Sequence, residues 1–206
     1  MSEPTIFIID DDEAIRDSLK LLLEAAGLER VAAHESGRHF LESVRPEPGD
    51  CLVVDVRMPD IDGLELQQAL IERGIDIPVI IMTGHGDIPM AVRALKAGAS
   101  DFIEKPFADE VMLEAVRRAL AKATRERRQS EEAAETRAHH ENLTDRERDV
   151  FQAMITGNPN KVIAHLLGIS QRTVEIHRAR VMEKMHARSL SSLVRMAIEA
   201  GLSKQV

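Results

Sequence analysis

The chain has one cysteine, Cys51, among 206 residues, so an intrachain disulfide is excluded. A lone thiol inside an apolar run reads as a small core residue. No apolar run approaches the ~20 residues a helix needs to cross a bilayer. The N-terminus opens with Ser2, Glu3 and Pro4, without the basic segment and apolar stretch of a secretory signal. The expected location is therefore the cytoplasm, with no membrane partner. Internal repeats are absent, and so is low-complexity sequence outside one polar stretch at 121–141. What remains is ordinary for a globular chain: 44 % of residues are hydrophobic, enough for a real core.

The net charge of −8 argues against nucleic acid only if it is uniform, and it is not. Residues 1–120 carry 12 Lys/Arg against 24 Asp/Glu, a balance of −12. Residues 121–141 carry five of each, and residues 142–206 carry 10 against 6, a balance of +4. An acidic first part and a basic last part imply separate tasks, with the basic part the candidate for nucleic acid. The expected organisation is one domain over 1–120, a helical linker over 121–141 and a second domain over 142–206.

Residues 1–120 alternate short apolar runs with helical patterns. Strands are expected at 5–9, 29–33, 51–55, 77–83 and 100–103. Helices are expected where Ile15, Leu19, Leu22, Leu23 and Ala26 fall on one face before Gly27, at about 37 to 44, at 63 to 73, a fourth capped by Asp87 and ending near Gly98, and a fifth starting near Asp109. Five strand–helix units with continuous apolar strands predict a parallel sheet buried on both faces. Functional groups then gather at the carboxyl ends of the strands.

Those ends hold Asp10 and Asp11 after the first strand, Asp55 at the end of the third, Thr83 at the end of the fourth and Lys105 after the fifth. Carboxylates packed together repel, and a hard divalent cation such as Mg²⁺ relieves that. One carboxylate could then act as a nucleophile and form an aspartyl phosphate. Asp55 is the best candidate because its strand is central. Lys105 would supply positive charge to phosphoryl oxygens and Thr83 a hydroxyl donor. Taken singly, such residues are usually turn, cap or surface groups; their joint appearance at successive strand ends carries the argument.

Residues 5–120 resemble a response-regulator receiver domain through Ile9-Asp10-Asp11, Asp55-Val56-Arg57-Met58-Pro59, Thr83-Gly84 and Lys105-Pro106. The resemblance implies a flavodoxin-like α/β fold and a phosphoryl group taken from a partner sensor histidine kinase onto Asp55. It implies Mg²⁺ (or Mn²⁺) held by Asp11 and Asp55, with Asp10 assisting and the Arg57 carbonyl as a further ligand. It also makes Thr83 and Phe102 the switch residues, with a plain core role the alternative for Phe102. Phenylalanine at the aromatic position leaves no phenolic hydrogen bond. A homodimer formed on phosphorylation through Val92, Arg93 and Lys96 is the expected consequence, with a simple solvated helix face as the alternative.

Residues 142–206 read as helical throughout. Thr144-x-x-Glu147 is a capping box, Asn160 is expected to cap the next helix, Gly168 makes a turn, and Ser170 and Ser189 cap two more. The helix from Gln171 puts Val174, Val181 and Met185 on the inner side with His177 beside them, and Arg172, Glu175, Ile176 and Ala179 on the outer side, flanked by Arg180 and Lys184. An outer stripe of that kind suits the major groove of double-stranded DNA, with Lys161, Thr173 and Lys184 candidates for phosphate contacts. A generic helical bundle is the bland alternative.

The runs Leu143-Thr144-Asp145-Arg146-Glu147, Asn160-Lys161-x-Ile163-Ala164 and Ile169-Ser170-x-Arg172-Thr173-Val174-Glu175 resemble the LuxR-type helix-turn-helix, with Pro159 in place of the usual serine. The resemblance implies an all-α four-helix domain that binds a DNA operator, with RNA polymerase a further candidate partner. Together the two matches most resemble the FixJ class of regulators: phosphoacceptor transcription factors, not enzymes beyond slow self-phosphorylation and autodephosphorylation. Two rivals stand beside this reading. One is a Mg²⁺-dependent phosphohydrolase of the haloacid-dehalogenase type, whose Asp-x-Asp letters Asp10-Asp11-Asp12 match but are followed by Glu13 and Ala14. The other is a receiver that works only through protein contacts.

Overall fold

The computed structural model describes residues 3–84 and 88–203. The chain divides into two compact units, Met1–Arg127 and Arg128–Val206. His85 and Asp87, the latter the expected cap of the fourth helix, lie outside the described residues.

The first unit runs β1 (Ile6–Ile9), α1 (Glu13–Ala25), β2 (Val31–His34), α2 (Gly37–Ser43), β3 (Cys51–Asp55), α3 (Gly63–Glu72), β4 (Val79–Thr83), α4 (Ile88–Lys96), β5 (Asp101–Glu104) and the start of α5 (Asp109–Glu141). The strands form one parallel sheet in the order β2-β1-β3-β4-β5. Strand residues alternate between two apolar layers, because successive side chains leave a strand on opposite faces. Phe7, Ile9, Leu52, Val54 and Ile81 pack with Phe40, Leu66, Leu70 and Ala94 on one side. Ile8, Cys51, Val53, Ile80 and Met82 pack with Leu19, Leu23, Met112 and Val116 on the other. Each fully buried Leu, Ile or Phe contributes roughly 1.5–3 kcal/mol through its burial.

The fourth strand starts two residues later than expected. Pro78 has no N–H to give to a ladder, and its carbonyl accepts from Leu52 N–H at 2.9 Å while pairing begins at Val79. The order of the sheet matters for the site. The chain leaves β1 toward β2 and returns to β3 on the other side, so the crevice at the carboxyl ends opens between β1 and β3.

The second unit contains the end of α5 with α6 (Asp145–Ile155), α7 (Asn160–Leu167), α8 (Gln171–Lys184) and α9 (Leu190–Glu199). Its core holds Leu143, Val150, Phe151, Met154, Ile163, Val174, Val181, Met185 and Leu193. The capping box of α6 is complete: Glu147 N–H donates to Thr144 Oγ1 and the Thr144 N–H to Glu147 Oε2. Asn160 does not cap α7. It is the first helical residue, and the cap position falls to Pro159, whose side chain accepts nothing. The Pro159 carbonyl takes the N–H groups of Val162 and Ile163 instead, at 2.9 and 3.1 Å. Gly168 closes α7 with φ +65°, a left-handed turn that side-chain-bearing residues resist.

The expectation of an exposed linker over 121–141 holds only in part. Ala133 and Thr136 are buried, and the His140 ring lies edge-on to Phe151 with centroids 4.9 Å apart. Arg137 also donates to the Ala200 carbonyl. The polar composition hid this, because a narrow stripe of small residues is enough to seat one helix on another.

Candidate functional site

The crevice between β1 and β3 is built by two carboxylates and one ammonium. Asp10 follows β1 and is 1 % exposed, and Asp55 ends β3 and is 7 % exposed. Lys105, just past β5, donates from Nζ to Asp10 Oδ2 and to Asp55 Oδ1, both at 2.6 Å. Its own backbone N–H donates to the Thr83 carbonyl at 2.7 Å, which ties the lysine to the end of β4. Thr83 is itself 1 % exposed.

The remaining carboxylate oxygens are also engaged. Asp10 Oδ1 accepts from Asp12 N–H at 2.9 Å, and Asp55 Oδ2 accepts from Arg57 N–H at 2.7 Å. The backbone after β3 therefore aims the Asp55 carboxylate, a role the motif alone did not reveal. Burial pushes the Asp10 carboxyl above its ordinary value, more than the Lys105 ammonium and the Asp12 N–H lower it. Burial by itself would lower the Lys105 ammonium, but its hydrogen bonds and attraction to Asp10 and Asp55 hold it above the usual range.

Asp11 is exposed and stands outside this pair. Among the described residues, no group of three His, Cys, Asp or Glu side chains is placed to hold a metal ion. The donor chemistry nonetheless fits a hard cation: two buried carboxylates on adjacent strand ends, with a third carboxylate on the next residue. In this arrangement the Lys105 ammonium provides the neutralising charge. Asp12 has a different task. It is the N-cap of α1 and accepts from Ala14 N–H at 2.8 Å.

The expected switch and interface residues lie on the β4–α4–β5 side. Phe102 is partly buried on β5 against the core layer that includes Ala94. Val92 and Lys96 are exposed on α4, with Val92 at 43 %. Arg93 is exposed there too, and it also lines a surface groove of about 450 Å³ with Asp62, Glu65 and Glu72 of the α3 side.

In the second unit, α7, the Gly168 turn and α8 form a helix-turn-helix. Ser170 caps α8 by accepting from Thr173 N–H at 3.1 Å, and its hydroxyl also bonds the Thr173 hydroxyl at 2.8 Å. Val174 and Val181 are buried, whereas Arg172, Glu175, Ile176, Ala179 and Arg180 are exposed along α8, and Lys161 is exposed on α7. Ile176 is 48 % exposed beside the exposed Glu175, between Arg172 and Arg180 on the same helix.

Lys184 departs from the expectation. Its ammonium donates to Glu147 Oε2 at 2.6 Å and to the Asn142 carbonyl at 3.3 Å, so it is committed within the unit and not held out for a phosphate. Glu147 is 2 % exposed, and the Lys184 ammonium and the Thr144 N–H hold its carboxyl down at about 2. Sequence spacing could not pair residues 37 positions apart.

Comparison with known proteins agrees with both halves. The family described as response regulator receiver domain matches residues 6–117, and that described as bacterial regulatory proteins, luxR family, matches residues 141–197. The transcriptional regulatory protein FixJ of Azorhizobium caulinodans is 49 % identical over 96 % of this chain and 93 % of its own length. The Rhizobium meliloti protein of the same name is 48 % identical over 98 % of each chain. Among solved structures, the response regulator StyR aligns with a TM-score of 0.82 at 42 % identity, covering 96 % of this chain and all of that one. Full-length FixJ from B. japonicum aligns with a TM-score of 0.61 at 42 % identity over 99 % of this chain and all of that one. The chain thus belongs to the response regulators, as a receiver domain followed by a LuxR-family domain in a DNA-binding regulator of a two-component system.

Proposed function

We propose that Asp55 is the phosphoacceptor and that its phosphorylation by a partner histidine kinase controls dimerisation and operator binding. The observation that carries this is the held carboxylate itself: Oδ1 on the Lys105 ammonium and Oδ2 on the Arg57 N–H, at the mouth of the crevice beside Asp10. An Asp55 oxygen attacks phosphorus, the donor's N–P bond breaks, and the imidazole nitrogen keeps the electron pair. Such transfer depends on positioning and charge neutralisation, not on elaborate covalent chemistry. Asp10, Asp11, Asp55 and the Arg57 carbonyl would hold Mg²⁺ (or Mn²⁺), whose charge neutralises phosphoryl oxygens. The Lys105 ammonium, already above its ordinary value, stays cationic throughout and can follow the phosphoryl group, with the Thr83 hydroxyl close behind.

The acyl phosphate then acts as a bound ligand that shifts a two-state equilibrium. The surface of α4 and β5 is where that shift is read, with Val92, Arg93 and Lys96 at the face of a symmetric dimer. Two copies place two α8 helices on a roughly palindromic operator, with Arg172, Glu175, Ile176, Ala179 and Arg180 toward base edges and Lys161 and Thr173 toward phosphates. The protein is in this reading a cytoplasmic transcription factor with no steady substrate turnover. Among the described residues no helix is long and apolar enough to cross a membrane.

Acetyl phosphate with Mg²⁺ tests the reading directly. Intact mass should show one added phosphoryl group on the wild type and none on Asp55→Asn, and sedimentation should show a donor-dependent dimer only in the wild type. Equal labelling of Asp55→Asn would refute the assignment. A labelled wild type that stays monomeric would keep Asp55 and discard dimerisation as the switch.

A further inference from the structure

Asp60 lies in the loop between β3 and α3, five residues past Asp55, and its carboxylate reaches across to another loop. Oδ2 accepts from the Ser36 hydroxyl at 2.5 Å and from the Arg38 N–H at 2.8 Å. Ser36 is the N-cap of α2, so one carboxylate fastens the loop that follows Asp55 to the start of α2. Burial alone would raise the Asp60 carboxyl, but these two bonds, together with backbone N–H bonds from Ile61 and Asp60 itself, hold it at about 2. It is therefore ionised, and the bonds are charge-assisted, at any physiological pH.

The same loop is fitted closely at two other points. A Cβ on Gly37, the first residue of α2, would come within 2.9 Å of Ile61 Cγ1 and 3.3 Å of Met58 Cε. A Cβ on Gly63 would come within 2.5 Å of the Asp55 carbonyl oxygen, and the Gly63 N–H donates to the Val56 carbonyl at 3.0 Å. The loop is thus pinned at its far end by backbone contact and in its middle by Asp60. Between those pins and β3 sits the Arg57 N–H that orients Asp55 Oδ2.

We infer that Asp60 is a positioning residue for phosphoryl transfer: by fastening the β3–α3 loop to α2, it holds the Arg57 N–H where it aims the Asp55 carboxylate. It touches neither the donor nor the reacting atoms. The inference rests on Asp55 being the phosphoacceptor. Because Asp60 is on the surface and buries little, its loss should leave the core intact while the loop drifts. Misplacement of a reacting group by even a fraction of an ångström is costly, and about a tenfold slowing is expected.

The test is the rate at which the full-length chain gains a phosphoryl group from acetyl phosphate at saturating Mg²⁺, followed by intact mass over a range of donor concentrations. Asp60→Ala should lower the plateau rate about tenfold, with the half-saturating donor concentration and the melting midpoint close to wild type. Asp60→Asn keeps one oxygen for the Ser36 and Arg38 donors but loses the charge and the second acceptor oxygen, so it should recover part of the rate that Asp60→Ala loses. A plateau within twofold of wild type for Asp60→Ala overturns the inference. Equal slowing of both variants also overturns it, since the charge alone would then be responsible. Should Asp60→Ala lose the receiver fold, Ser36→Ala decides in its place: it removes one of the two donors, and an unchanged plateau rate overturns the inference. A wild type that gains no phosphoryl group, or an Asp55→Asn chain that gains it as fast, would remove the Asp55 assignment itself and the Asp60 role with it.

Discussion

Replacing Glu147 by glutamine removes one charge from the second unit while keeping the shape of the side chain and an oxygen for the capping box. In the wild type, Glu147 Oε2 accepts from Thr144 N–H at 2.9 Å and from Lys184 Nζ at 2.6 Å, with the glutamate side chain 3 % exposed. Its carboxyl is lowered from 4.5 to about 2. At ~1.4 kcal/mol per unit, that is ~3 kcal/mol of preference for the ionised form in the folded state. The Lys184 side chain is 37 % exposed, so solvent screens its share of the interaction. A net loss of about 2 kcal/mol for Glu147→Gln at pH 7 is the expected outcome.

The sign of the pH dependence follows from the direction of the shift. A depressed carboxyl contributes stability that is present above 4.5 and is lost as pH falls toward about 2. The gap between variant and wild type should therefore be full at neutral pH and shrink to roughly half by pH ~3. Native-state hydrogen exchange of α6 and α8 amides, read against denaturant, isolates this unit from the receiver. A loss below about 0.5 kcal/mol at pH 7, or an equal loss at both pH values, would refute the electrostatic reasoning and leave only capping or packing.

Lys105→Met leaves two buried carboxylates without their cation and should destabilise the first unit by about 3 kcal/mol, with millimolar Mg²⁺ raising its melting midpoint more than that of the wild type; equal Mg²⁺ responses would argue against a metal between these carboxylates. Arg172→Ala should weaken operator binding by about 1–3 kcal/mol and relax preference at one base position, whereas Lys184→Met should leave the salt slope of binding unchanged once its lower stability is accounted for. Val92→Asp should abolish donor-dependent dimerisation in sedimentation while leaving phosphorylation by acetyl phosphate intact; a surviving dimer would move the interface off α4.

Much of the architecture was readable because it is local. Apolar strand runs, capping residues such as Ser170 and Ser189, and the Gly168 turn specify their elements through nearest-neighbour geometry, and the observed α8 and α9 start where those caps stand. Where local rules compete, reading fell short. Asn160 is a good cap by type, yet Pro159 already has the fixed φ and extended ψ of a cap position and takes it. Pro78 similarly trims β4, because a ladder needs a donor that proline lacks. The stretch 121–141 looked solvated because polar composition says nothing about a two-residue stripe meeting another helix.

The strand-end residues Asp10, Asp55, Thr83 and Lys105 could be named from sequence because a parallel sheet sends every strand end to the same edge. Which atoms meet there was decided only in three dimensions. The shared ammonium between Asp10 and Asp55, the Arg57 N–H on Asp55 and the Asp60 bonds to Ser36 and Arg38 join positions up to 95 residues apart. Lys184 makes the same point in the second unit. Its exposed-looking place near the end of α8 suited a phosphate contact, but the helix packing of α6 against α8 brings Glu147 to it first. Periodicity and caps determine where a side chain leaves its own element. The partner it finds depends on how the elements pack, and a buried carboxylate at the end of that path binds the nearest cation because leaving it unpaired would cost several kcal/mol.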